Sequence, residues 1–274
     1  MPGGALPTLE APLTFIAPTN TKPQVLMSAN HADANIRTGA YHTLQVAIAD
    51  ARGLAERPNL DREGFSFETL PTRVTDFYDA GVVKGAYYDE IAAFLKRVTG
   101  AADAYVFDHT LRVEDPEKRQ VKGARLPVTV VHNDYTETSA PKRVRDMYAP
   151  EIAERLLKGR FAILNVWRSI GSSAERFPLA VADGRTVRPT DHIAVDLVYP
   201  DRTGEVLYTA HSSGQRWYYL SGMLPTDVMV FKCFDSARDG RTRYTAHAGF
   251  ANPFAPAETP PRESIEVRTL LFFA

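Results

Sequence analysis

The stretch "LPVTVVHNDYTETSAPKR", residues 126–143, decides how the rest of the chain is read. A β-branched run, Val128 to Val131, leads into His132 and Asp134, and the looser Tyr-Thr-Glu-Thr-Ser follows. Successive side chains of a strand alternate between faces, so residues two apart share one. A strand that gives way to a turn at this point presents an imidazole and a carboxylate together. The pair alone is a weak signal. With 7 His and 33 Asp plus Glu in 274 residues, roughly one His-x-carboxylate pair arises by chance. A twin exists at His31-Ala32-Asp33, but "MSANHADANIR" has no strand leading in, and His31 reads as a surface residue.

A metal site built on His132 and Asp134 needs a third ligand from another strand. Of the remaining histidines (His42, His109, His192, His211 and His247), His247 in "RYTAHAGFANP" stands out. It lies in a predicted strand, and its neighbours Ala246 and Ala248 are small enough to leave room around an imidazole. Two imidazoles and one carboxylate, with the other coordination positions open, form the arrangement that non-heme Fe(II) oxygenases use. Fifteen residues beyond His247, Arg262-Glu263-Ser264 opens the last predicted strand, where Arg262 and Ser264 share a face. A guanidinium beside a hydroxyl is a receptor for one carboxylate. A solvent-facing arginine is the competing reading.

Around these residues the pattern is mainly β. "AYVFDHTLRV", "RLPVTVVH", "RFAILNVWRSI", "DHIAVDLVY", "EVLYTAH", "QRWYYLSGM", "DVMVFKCFD", "YTAHAGF" and "SIEVRTLLFF" read as short strands between turn formers. So many strands in succession, from about residue 104 to 274, predict a closed or double-sheet architecture, a barrel or jelly roll. Upstream, "YHTLQVAIAD" and "GFSFETL" read as strands. The spacing of Ile91, Phe94, Leu95 and Val98 predicts a helix over 87–100, stopped by Gly100. A second helix is predicted over 140–159, kinked or split at Pro150. The proline-rich first 25 residues read as an irregular arm. No composition break or linker appears, so residues 1–274 read as one domain.

Composition excludes several classes. Lys plus Arg (32) and Asp plus Glu (33) are mixed along the chain, leaving no footprint for nucleic acid or an anionic membrane. No apolar run approaches the roughly 20 residues that span a bilayer. The N-terminus has no basic region before an apolar one, as a secretory signal would. The single cysteine, Cys233, rules out an internal disulfide and suits a reducing cytoplasm. Its apolar setting, "VMVFKCF", marks it as a buried, inert thiol. The expectation is a cytoplasmic protein acting on a small molecule, with its oligomeric state left open.

Taken together, the residues resemble the Fe(II)/2-oxoglutarate-dependent oxygenase superfamily. The closer resemblance is to the hydroxylase/desaturase family that includes a cephamycin 7α-methoxylation component and a fungal gibberellin desaturase. It covers most of the chain after about residue 40. The segments that carry it are "DARG" (50–53), "YYDEI" (87–91), "VFDHTLR" (106–112), "VHNDYT" (131–136), "NVWRSI" (165–170), "PLAVADGRTV" (178–187), "RWYY" (216–219), "VFKCFDS" (230–236), "HAGFANP" (247–253) and "PPRESIEVR" (260–268).

The resemblance implies a double-stranded β-helix with flanking helices, and iron held by His132, Asp134 and His247. It implies that Arg262 with Ser264 grips the distal carboxylate of 2-oxoglutarate, with Arg268 on the same strand as the rival. It further implies hydroxylation or desaturation of a small molecule in natural-product metabolism, with O₂ consumed and 2-oxoglutarate decarboxylated to succinate. Asn165, Trp167, Arg168, Trp217 and Tyr218 are candidates for the substrate wall, although each also suits the β core. Arg168 and Lys232 are candidate partners for a substrate carboxylate, and His109 lines the cleft or caps a strand. Two other classes compete: a zinc hydrolase on the same triad, which leaves Arg262 and Ser264 without a role, and a jelly-roll binding protein without turnover.

Overall fold

The last strand, β15 (Glu263–Phe272), shows how the chain divides itself into layers. Its odd positions Ile265, Val267 and Leu271 pack among helical residues, whereas Leu270 and Phe272 belong to the cluster between the sheets. By the same alternation Ser264, Glu266 and Arg268 point into the interior. In the computed structural model, residues 6–27, 35–171 and 173–274 are described. The His31/Asp33 pair lies outside them.

β15 is part of a five-stranded antiparallel sheet in the order β5 (Phe65–Thr69), β13 (Asp227–Asp235), β8 (Phe161–Ser169), β15, β6 (Asp103–Val113). A continuous helical segment covers its outer face. It comprises α1 (Ala80–Val82), a π-helical turn (Val83–Tyr87) and α2 (Tyr88–Thr99). Ile91, Phe94 and Leu95 of α2 bury against Val166, Val230 and Val267, the helical stripe expected from the sequence. Gly100, at φ 71°, takes the left-handed conformation that ends the helix.

The second sheet runs β1 (Thr8–Ile16), β4 (Tyr41–Asp50), β12 (Trp217–Tyr219), β9 (Leu179–Ala182), β14 (His247–Gly249), β7 (His132–Asn133), β11 (Thr203–Thr209), β10 (His192–Val198), β2 (Gln24–Leu26), β3 (Ile36–Arg37). Leu179 and Val181 from this sheet meet Ile163, Trp167, Met229 and Phe231 from the other. The two curled sheets make the expected double-stranded β-helix, a mainly β jelly roll with flanking helices.

Two expectations change. Residues 6–25, the described part of the expected arm, are not irregular throughout: β1 pairs with β4 over nine residues, and Leu9, Ala11, Leu13 and Phe15 are buried on alternate positions. Pro12 obscured that alternation, but a proline is tolerated on an edge strand, and β1 is one. The β core therefore begins well before residue 104. "RLPVTVVH" is not a full strand, because only His132 and Asn133 join the ladder, and residues 126–131 run beside β1 with a single bridge at Val130. After the short α3 (Pro116–Lys122), the helix expected over 140–159 is split at Pro150, as the sequence indicated, into α4 (Ser139–Met147) and α5 (Pro150–Leu156). Pro150 occupies the first turn of α5, where its missing N–H costs no helical hydrogen bond.

Candidate metal centre

His132 and His247 are direct cross-strand partners on β7 and β14, which puts their side chains on one face. Their ring centroids are 4.3 Å apart. Asp134 stands where the chain leaves β7. Ligand atoms of His132, Asp134 and His247 all lie within 4.8 Å of one another. Ala246 and Ala248 face the opposite way, into the cluster with Trp217 and Phe250. The space beside His247 is therefore not theirs to give.

Each donor is oriented. The Nδ1 atoms of His132 and His247 lie 2.8 Å and 3.0 Å from the carbonyl oxygens of Val130 and Thr245, two residues back in each case. A carbonyl can only accept, so Nδ1 carries the proton and Nε2 is left with a free lone pair. Buried Nε2 of His247 has no hydrogen-bond partner among the described residues. Burial and the neighbouring His247 push the His132 imidazolium down to about 3, so the ring is neutral. Its 3.5 Å approach to Asp134 Oδ1 is not an ion pair. Burial would raise the carboxyl of Asp134, but the Arg268 guanidinium and the hydrogen bond from Asn165 outweigh it and hold the group ionised. Oδ2 accepts from Asn165 Nδ2 at 2.9 Å and from Arg268 Nε at 3.0 Å. Oδ1 is thereby turned toward the histidines. Two imidazoles whose Nδ1 atoms are tied to carbonyls and one fixed carboxylate suit a divalent transition metal.

The arginines of β15 differ. Arg268 reaches Asp134, Asp108 (3.1 Å) and Glu266 (2.6 Å). Arg262 is 2% exposed and forms no ion pair among the described residues. Its Nε donates to Ser264 Oγ at 3.0 Å and its Nη1 to the Phe177 carbonyl at 3.2 Å, with the guanidinium 4.9 Å from the Trp167 ring. Burial and nearby Arg112 pull its proton affinity down to about 9. Gly249, two residues from His247 on the same strand face, lets this guanidinium approach. A Cβ there would sit 3.1 Å from Arg262 Nη1 and 2.7 Å from Phe177. The sequence pattern alone did not single out Gly249, although it lies within "HAGFANP".

The remaining candidates sort by face. Asn165 holds Asp134 rather than a pocket wall. Trp167 is on the inner face and lines a cavity of about 170 Å³ with Leu179, Leu220, Met223 and Phe254. Trp167 is the member of the cavity wall that also meets Arg262. Its Nε1 has no partner among the described residues. Tyr218 pairs with Val181, which pairs with His247, so all three face the interior. Trp217, one residue away, faces outward and packs edge-to-face on Phe15 at 5.9 Å. The substrate-wall reading of Trp217 is thus replaced by a core role.

Arg168 also fails that reading, since alternation along β8 turns it from Trp167 to the helix side. There it donates to the carbonyls of Pro225 and, at 2.9 Å, Leu70. Lys232 is buried and paired with Asp61 (2.7 Å) and Asp235 (2.8 Å). His109 lies off the cleft, with Nδ1 2.8 Å from the Tyr88 hydroxyl of α2. The stretch after the ligands is structural. Thr136 Oγ1 accepts the N–H groups of Thr138 and Ser139 at the start of α4 and bonds to Glu205 of β11.

A jelly roll with a His-Asp-His cluster on its inner face defines a non-heme metal enzyme of the oxygenase type, and comparison with known proteins agrees. Residues 13–272 match a family described as "Oxidoreductase/YMDC permease-like domain". The chain is 36% identical over 235 residues to the Fe(II)/2-oxoglutarate-dependent dioxygenase nvfI of Aspergillus novofumigatus (strain IBT 16806), covering 83% of each chain. It is 34% identical over 256 residues to the hydroxylase/desaturase CTB9 of Cercospora beticola, covering 85% of this chain and 78% of that one. A solved structure of the iron and alpha-ketoglutarate-dependent endoperoxidase NvfI superimposes with a TM-score of 0.85 at 30% identity, covering 97% and 98% of the two chains. The chain belongs to the Fe(II)/2-oxoglutarate-dependent oxygenases. It is an oxidoreductase that uses Fe(II), 2-oxoglutarate and O₂ and acts on a small molecule. Among the described residues no helix is long and apolar enough to cross a membrane.

Proposed function

We propose that His132, Asp134 and His247 hold the iron, and that Arg262 with Ser264 receives the distal carboxylate of 2-oxoglutarate. The observation that carries this reading is the buried Arg262 guanidinium without a carboxylate partner among the described residues, next to a strand that bears one of the ligands. A buried cation without a counter-ion is costly unless a ligand supplies one. Arg268 is already met by three carboxylates, so its role is to position Asp134.

When bound, Fe(II) with 2-oxoglutarate and O₂ supplies the oxidising chemistry that yields succinate, CO₂ and an oxidised C–H position. The protein's own contribution is placement. Val130 and Thr245 carbonyls fix the imidazole tautomers, Asn165 and Arg268 fix the carboxylate, and Arg262 fixes the far end of the co-substrate. The cavity beside Trp167, lined by polar groups such as Glu175 and Asn252 as well as apolar ones, with Tyr218 on the same inner face as His247, is where we place the substrate. Hydroxylation or desaturation of a natural product is the outcome supported by the hydroxylase/desaturase relative. We further infer that the chain works as one oxygenase domain, supported by a family match over residues 13–272, and that it works in the cytoplasm, in keeping with a single buried cysteine. A zinc hydrolase on the same triad would leave the Arg262–Ser264 pair without a role.

The test is 2-oxoglutarate turnover, followed as succinate, with and without added Fe(II). Turnover should require Fe(II), and Asp134→Ala should abolish it. Metal-independent succinate formation, or full activity with zinc, would overturn the reading.

A further inference from the structure

Besides Arg268, an arginine of the neighbouring strand shares the face on which Arg262 and Ser264 lie, and the chemistry described so far gives it no role. Arg112 is the cross-strand partner of Ser264 between β6 and β15, and residues directly opposite in a ladder project to the same side. It is partly buried, donates Nη1 to the Leu126 carbonyl at 2.8 Å, and forms no ion pair among the described residues. Arg112 therefore lies on the face that carries Arg262, directly opposite Ser264, and neither guanidinium forms an ion pair among the described residues.

The acids nearby are spent elsewhere. Glu266 is engaged by Arg268 at 2.6 Å, and Glu114 by Arg176 at 2.9 Å and by the backbone N–H of Arg262 at 3.0 Å. Adjacent like charges withdrawn from water repel, and the usual remedies are a shared anion or loss of a proton, which a guanidinium resists. Gly249 keeps the space in front of Arg262 free of a side chain. A planar fork on each side suits the two oxygens of one carboxylate.

We propose that Arg112 and Arg262 grip the distal carboxylate of 2-oxoglutarate between them, Arg112 being a second binding residue rather than a structural cation. The inference rests on the reading of Arg262 as the co-substrate receptor, and the experiment separates the two. Equilibrium binding is measured by calorimetry without O₂ on the Fe(II)-loaded full chain, for wild type, R112Q, R262Q and the double variant. The ligands are 2-oxoglutarate and 2-oxopentanoate, which keeps the chelating end and lacks the distal carboxylate. Each single variant should weaken 2-oxoglutarate binding by about tenfold or more, while 2-oxopentanoate binding stays within about twofold. The double variant should lose less than the product of the singles, because the two residues share one ligand group.

Wild-type affinity for 2-oxoglutarate in R112Q, with R262Q weakened, overturns the role of Arg112 and leaves the receptor in place. Wild-type affinity in both variants overturns the receptor itself. Equal weakening of both ligands by R112Q places Arg112 at the chelating end and also overturns the proposal. Should R112Q not melt cooperatively, R112K retains the charge without the fork. It should bind 2-oxoglutarate more weakly than wild type, and unchanged affinity would again overturn the proposal.

Discussion

Two positions on one face of the last strand, Arg262 just before β15 and Arg268 within it, carry the same residue type in opposite circumstances. At one end Arg268 lies among Asp134, Asp108 and Glu266. At the other, Arg262 lies on Trp167 and donates to a hydroxyl and a carbonyl. From the sequence the two are rivals for one role, since both project from the same face of one strand. Their counter-ions separate them. An arginine already neutralised suits a positioning role, whereas one buried without an ion pair among the described residues suits the proposed co-substrate receptor.

That contrast can be broken most severely at the Arg268 end. Asp134→Ala removes the ligand that Arg268 and Asn165 hold, and iron content and succinate formation should both fall by more than ~100-fold, beyond what losing an outer-shell partner costs. Next, Arg262→Gln should raise the KM for 2-oxoglutarate by about 10- to 100-fold with iron content preserved. Arg268→Gln should instead lower iron affinity by about 10- to 100-fold, and it should do so equally with 2-oxopentanoate as ligand. A result in which Arg268→Gln alone changes the 2-oxoglutarate KM would reverse the assignment of the two ends. Gly249→Ala tests the approach of Arg262: its new methyl group must displace Phe177 or the guanidinium, raising KM and lowering stability by about 1–3 kcal/mol, measured by denaturant unfolding. The smallest functional effect is expected at Arg168→Met, on the opposite face of β8. The KM for 2-oxoglutarate should stay at the wild-type value, while the carbonyls of Leu70 and Pro225, left unpaired, lower stability by about 1–3 kcal/mol.

The fold and the clustering of His132, Asp134 and His247 were legible because period-2 alternation is written into the residues. His132 and Asp134 were found from a strand end, and Arg262 with Ser264 from a shared face. What escaped was whatever depends on which face of a strand meets the other sheet. Trp217 and Tyr218 are consecutive, as are Trp167 and Arg168, and residue type alone does not say which of each pair turns inward. Arg112 escaped for another reason. Its significance lies in lacking a carboxylate partner, and partners are a property of the ladder between β6 and β15 rather than of the segment "VFDHTLR". Gly249 is legible only as space, which no residue pattern records.

The strand formed by residues 8–16 bears on how the protein is handled at the bench. Trimming a proline-rich leader is a common first step when a protein is prepared for crystallisation. Here that cut would strip β1 from β4 and lay open Ile48 and Trp217, which are buried beside it. The newly bared edge of β4 is the kind of surface on which copies of a chain pair with one another. Shortened preparations are expected to come out of solution as aggregates, and the chain should be kept from Thr8 onward.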